Sequence, residues 1–214
     1  MLRAGNTLRG IAGLFAALLL LLLGGASAQT EPLDEATIRS EVEKIRQPGM
    51  MNVPRADGEF LHDFVVQRGY KRVLEIGTSN GYSAVWMALA LRKNGGKLIT
   101  LEIDAMRANL AAENFQRLRL NDIIELRRGD ALKLIPKIPG PFDLVFIDAW
   151  KPDYIRYFEM VFPKTRSSGA ILAHNVLSHD AELRAYVEMV SNHPQLETRI
   201  ERRSSRGIAV SIKK

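Results

Sequence analysis

Arg72-Val73-Leu74-Glu75-Ile76-Gly77-Thr78-Ser79-Asn80-Gly81-Tyr82-Ser83 is the stretch on which the fold turns. Its first five residues read as a short, largely apolar strand, and Tyr82 begins an amphipathic run that continues to about residue 91. Between them lies a strand-to-helix turn with two glycines. Gly77 lets the chain bend sharply and lets a ligand approach the backbone, while Gly81 permits close packing where the helix begins. The spacing is not the G-x-G-x-x-G of dinucleotide folds. An acid two residues before the first glycine suits the cationic end of a ligand better than a pyrophosphate. Many strand-to-helix turns carry glycine for geometry alone, so the turn has to be read with what surrounds it.

Downstream, short apolar runs keep alternating with amphipathic ones: 98–102 then 105–118, 123–126 then 131–135, 142–148 then 153–162, and 170–174 then 182–192. Five such units describe a parallel sheet covered by helices on both faces. The tail, 196–201 and 207–212, reads as two strands with a short connection, an antiparallel pair at the sheet edge. The expectation is a doubly wound α/β domain with a mostly parallel seven-stranded sheet. Upstream, 33–46 and 57–67 have helical spacing and are closed by Pro48-Gly49 and Gly69. Residues 29–214 are expected to form one domain, since 214 residues hold one such core but not two with a linker.

The first 28 residues differ in kind. Arg3 and Arg9 precede the apolar run 11–23, which breaks at Gly24-Gly25 and ends in Ala26-Ser27-Ala28. This is the layout of a secretory signal with a cut before Gln29. The alternative is an uncleaved anchor, with membrane association through residues 11–28. The apolar run falls short of the ~20 residues that a spanning helix needs. Both readings put the domain outside the cytosol, in the periplasm, the extracellular space or at a membrane. Removing the segment takes away two arginines and no acid from a formal net charge of +6. No dense basic stripe with interleaved aromatics remains, so a nucleic-acid partner is not expected. The chain has no cysteine, which excludes disulfides, thiolate nucleophiles and thiolate metal sites.

Ligands of such sheets bind at the carboxyl ends of the strands, where the strand order reverses. Glu102 ends the second strand, where a carboxylate can accept from both hydroxyls of an adenosine ribose. Asp104 reads as a helix cap. Asp130 either contacts an adenine or caps the next helix. The fourth strand ends in Asp148-Ala149-Trp150-Lys151 and the fifth in His174-Asn175, so Asp148, His174 and Asn175 converge beside the first turn, as a small-molecule or metal site requires. Trp150 offers a flat wall to an aromatic ligand, or else a core side chain. His179 and Asp180 border the mouth or are solvated, and Arg202, Arg203 and Arg206 either meet an acidic substrate tail or phospholipid head group or, as is usual for charge in a hairpin loop, are solubilising.

These motifs, in order, resemble the catechol O-methyltransferase and caffeoyl-CoA O-methyltransferase group of class I S-adenosylmethionine-dependent enzymes. Val73-Leu74-Glu75-Ile76-Gly77 with Gly81-Tyr82-Ser83-Ala84-Val85, then Glu102, then Asp148-Ala149-Trp150-Lys151, match its pattern. Met51-Asn52-Val53 followed by Ala56 and Gly58 resembles its N-terminal cofactor loop. The likeness spans about residues 48–176 by motif. It implies a Rossmann-like methyltransferase fold, S-adenosylmethionine as methyl donor and a small phenolic or catechol-like acceptor. It further implies that Val53, Glu75, Gly77, Tyr82, Ser83, Glu102 and Asp148 line the cofactor site and that Lys151 is the general base, taking the phenol proton.

One departure stands out. The group places Asp-Asn as two magnesium ligands where this chain has His174-Asn175. An imidazole in place of a carboxylate weakens an oxygen-seeking magnesium site. It leaves three readings: a transition metal held by Asp148, His174 and Asn175, proton removal by His174 without a metal, or a structural histidine beside a site that has lost activity. The functional alternative is therefore an exported cofactor-binding protein with little or no turnover.

Overall fold

The computed structural model describes residue 1 and residues 31–47, 49–178 and 180–214. The leader expected over residues 1–28 lies outside them apart from Met1, as does His179. The chain divides into Met1–Pro32 and Leu33–Lys214, and among the described residues every helix and strand belongs to the second unit. Among the described residues no helix is long and apolar enough to cross a membrane.

Two helices lead. Helix α1 (Glu35–Ile45) is capped by Asp34, whose carboxylate accepts from the Thr37 backbone N–H, and α2 (Arg55–Arg68) closes on Gly69 in the left-handed conformation. The alternation then runs β1 (Arg72–Ile76), α3 (Tyr82–Asn94), β2 (Lys97–Glu102), α4 (Ala105–Arg117), β3 (Ile124–Arg128), α5 (Ala131–Leu134), β4 (Phe142–Ile147), α6 (Tyr154–Val161), β5 (Thr165–His174), α7 (Ala181–Ser191), β6 (Leu196–Glu201) and β7 (Ile208–Lys213). The strand order is β3-β2-β1-β4-β5-β7-β6. β1 to β5 pair in parallel, and β7 runs antiparallel to both β5 and β6.

Successive strand residues face opposite sides, and both sides are filled. Val73, Leu98, Leu144, Phe146 and Leu172 pack with α1 to α4, while Leu74, Ile99, Val145, Ile147 and Ile171 pack with α6 and α7. Burial on both faces is why these strands are apolar runs rather than alternating ones. Trp86, buried on α3, anchors the first layer. A side chain of that size contributes at least roughly 1.5–3 kcal/mol by leaving water.

The strand β5 begins earlier than the expected 170. Its polar start, Ser167-Ser168-Gly169, hid the extension, and a register shift against β4 between Phe142 and Leu144 accommodates it. The strand order reverses between β1 and β4, so the crevice for a ligand opens at the carboxyl ends of these two strands.

Candidate active site

The β1 and β4 exits are stitched together. The Asp148 N–H donates to the Ile76 carbonyl at 2.9 Å, and the Gly77 N–H to the Leu101 carbonyl at 3.0 Å. Gly77 has φ +98°, and a Cβ there would stand 2.2 Å from the Asp148 carbonyl oxygen. Only glycine fits. At the other end of the turn Gly81, with φ +91°, lies against the Phe115 ring. The turn is held by Glu102, whose Oε2 accepts the Ser79 N–H at 2.7 Å and whose Oε1 accepts the Asp104 N–H at 2.9 Å. Asn52 of the N-terminal loop reaches the same turn, donating to Asn80 at 2.5 Å.

A cleft of about 980 Å³ opens here. That volume suits a nucleoside-sized cofactor together with a small second ligand. Gly77, Tyr82, Ser83, Glu102, Asp130, Asp148, Lys151, His174 and Asn175 all line it. Glu75 and Val53 do not. Glu75 is fully buried one layer behind, accepting from the Ser83 and Thr100 hydroxyls at 2.5 Å each. Burial pushes its carboxyl up to about 8, outweighing those two hydrogen bonds. Val53 is buried in the core beside α2 and α3, and Met50, Met51 and Asn52 form the loop's contribution to the wall.

Asp130 caps α5, its Oδ1 accepting the Leu132 N–H at 2.9 Å, and the residue also borders the cleft. Asp104 caps α4 through the Arg107 N–H. Trp150 is 68% exposed on the cleft wall, and the core tryptophan is Trp86. Asp180 accepts from the Ser178 hydroxyl. Arg203 stacks on Phe60, whereas Arg206 lines the cleft.

The polar floor is built around Asp148. Its Oδ1 accepts from the Asn175 amide at 2.9 Å and lies 3.8 Å from the Lys151 Nζ, and its Oδ2 lies 3.3 Å from the His174 Nδ1. Burial works to raise this carboxyl, but His174, Lys151 and Asn175 together outweigh it, so it stays below the usual range. Lys151 opens a short 3-10 turn and donates from Nζ to the Ala149 carbonyl at 3.1 Å, with its side chain still 31% exposed. It is accessible to a ligand.

His174 is buried, and its Nε2 lies 2.8 Å from Asp57 Oδ2. Burial pulls the imidazole down, but Asp148 and Asp57 win and raise it to about 9. Asp57, in the first turn of α2, also accepts from the Ser204 hydroxyl in the β6–β7 connection at 2.6 Å. Sequence reasoning missed both residues. Asp57 had a legible signal: it stands three and four residues before Phe60 and Leu61, an acid on the apolar face of its helix. Ser204 had none.

A divalent cation such as magnesium needs several oxygens turned toward one point. Here Asn175 turns its amide hydrogens to Asp148, and His174 places one nitrogen against each of two carboxylates. Among the described residues no group of three or more His, Cys, Asp and Glu is arranged to hold a metal ion. The residues as placed do not fit one.

A doubly wound sheet with this strand order, a glycine turn at the reversal and an acid ending β2 defines a Rossmann-like methyltransferase. A family model described as O-methyltransferase matches residues 26–198. A catechol O-methyltransferase of Niastella koreensis is 37% identical over 150 residues, 67% of each chain, and one of Mycobacterium tuberculosis is 35% identical over 157 residues, 68% of this chain and 71% of its own. An O-methyltransferase from Bacillus cereus, solved in complex with SAH, superposes with a TM-score of 0.71 at 28% identity, covering 87% of this chain and 94% of its own. The chain belongs to the O-methyltransferase family.

Proposed function

We propose that the chain transfers a methyl group from S-adenosylmethionine to a hydroxyl of a small phenolic or catechol-like acceptor, with Lys151 as general base. The observation that carries this reading is the accessible Lys151 amine beside Asp148, in one cleft with the Gly77 turn and Glu102. The names of the Niastella and Mycobacterium relatives support the acceptor class. When bound, S-adenosylmethionine supplies an electrophilic methyl on a sulfonium. Gly77 lets it close on the backbone, Glu102 accepts from its ribose hydroxyls, and Tyr82, Ser83 and Asp130 complete the wall. Val53 and Glu75 act from behind that wall.

The Lys151 Nζ takes the proton of the acceptor hydroxyl, with a phenol pKa of ~10. The freed oxygen pair forms the O–CH₃ bond as the C–S bond breaks and its pair stays on sulfur. Catalysis is then mostly positioning. Trp150 offers a flat face to the aromatic ring.

Purified residues 29–214 should bind S-adenosylmethionine in calorimetry and methylate members of a catechol panel. Absence of binding heat at high cofactor concentration sinks the reading. Binding without turnover on any catechol returns the alternative, an exported protein that holds the cofactor and does little chemistry. The leader composition supports an exported or membrane-anchored domain in either case.

A further inference from the structure

Beneath the Lys151 end of the cleft a single imidazole separates two carboxylates. His174 Nε2 stands 2.8 Å from Asp57 Oδ2 and Nδ1 stands 3.3 Å from Asp148 Oδ2. A ring flanked by carboxylate oxygens on both sides carries a hydrogen on both nitrogens, and so one positive charge between two negative ones. The side chains are 3%, 1% and 14% exposed for His174, Asp57 and Asp148. Buried carboxylates this close would repel one another strongly without a cation between them.

The two nitrogens differ in what they leave over. Nε2 is matched to Asp57, which Ser204 also holds. Nδ1 is close to Asp148 yet poorly aligned with it, and it is a buried polar atom with no hydrogen-bond partner in a residue that lines the cleft. A buried donor left open costs about 1–3 kcal/mol unless a ligand supplies the acceptor.

We propose that His174 is a built-in cation standing where a divalent metal would otherwise bind, neutralising Asp148 and donating from Nδ1 to the acceptor oxygen, so that this protein works without a bound metal. A dication here would meet a fixed positive ring and an Asp148 whose oxygens already face donors. The catalytic half of this inference rests on the O-methylation reading, and the metal half does not.

Manganese(II) titrated into the protein saturated with S-adenosylhomocysteine, with free ion followed by paramagnetic resonance, tests it directly. The free-ion signal should track the added metal, with no saturable site. His174→Asp, checked for retained S-adenosylhomocysteine binding, should gain one saturable manganese site, because it removes the cation and adds a carboxylate. Methylation of a catechol by the unaltered protein should be unchanged by excess chelator. A one-to-one manganese site in the unaltered protein, or activity lost to chelator and restored by a metal, overturns the inference. Should no catechol be methylated under any condition, the acceptor reading fails, while the manganese titration of the unaltered protein still decides this one.

Discussion

At the scale of single residues, the site depends on groups whose replacement has separable effects. Lys151 lines the cleft with an exposed amine and is the proposed base, so Lys151→Ala should lower kcat by roughly 10²–10⁴-fold. S-adenosylhomocysteine affinity, measured by calorimetry, should stay within about twofold of the original. Full turnover in the variant would remove lysine from the role of base. Gly77→Ala should act in the opposite way. The new methyl group meets the Asp148 carbonyl at 2.2 Å on a backbone already at φ +98°, so the β1 and β4 exits must part. Strain of at least about 1–3 kcal/mol should appear as a lower melting temperature, together with a loss of cofactor affinity.

At the scale of elements, α2 and α3 meet where Gly58 lies flat on the Trp86 indole. A Cβ at residue 58 would stand 2.5 Å from the ring, in a backbone conformation that any residue adopts. Gly58→Ala should therefore destabilise by overpacking alone, by about 1–3 kcal/mol, read as a reduced denaturant midpoint with unchanged slope. An unchanged midpoint would show that Trp86 can move without cost. The same two helices show how far local sequence carries. Apolar runs and glycine turns made every strand and its order along the chain legible, because both faces of the sheet are filled by residues close to their own elements. Glu102 and Lys151 were legible for the same reason, as each ends a strand or follows one closely. Glu75 stood at the right position, but its place behind Ser83 and Thr100 depends on a neighbouring strand. The Asp57–His174 pair joins residues 117 apart in sequence. No local pattern joins them.

At the scale of the whole molecule, two buried groups make stability fall as pH rises. Glu75, at about 8 in the fold against 4.5 outside it, keeps its proton where the unfolded chain has lost it, so stability declines between these values. His174, at about 9 against 6.5, contributes fully below pH 6.5, and its contribution is lost as pH rises through 9. Burial works to raise both Asp148 and Asp143, but the neighbouring His174, Lys151 and Asn175 hold the former low, and the hydrogen bonds from Arg166 and the Lys71 and Arg72 N–H groups hold the latter low. Their contributions are lost in acid. The cofactor-free protein should melt highest near about pH 5 and progressively lower toward pH 9. A flat or rising melting temperature between pH 6 and 9 would contradict the charge states assigned to Glu75 and His174. The proposed leader has its own measurement: mass spectrometry of the protein from its native host should find Gln29 at the N-terminus, and an intact Met1 would favour the anchor.

The strand β7 enters the sheet between β5 and β6, and the connection before it carries the serine that holds Asp57, 147 residues back along the chain. Synthesis runs from the other end. The ribosome can release β1 to β4 with the glycine turn already made, yet His174 keeps a free edge beside it until β7 emerges. A nascent chain that stops before β7 thus carries much of the cleft without the serine that holds Asp57, and the floor beneath Lys151 is finished only once β7 has joined the sheet.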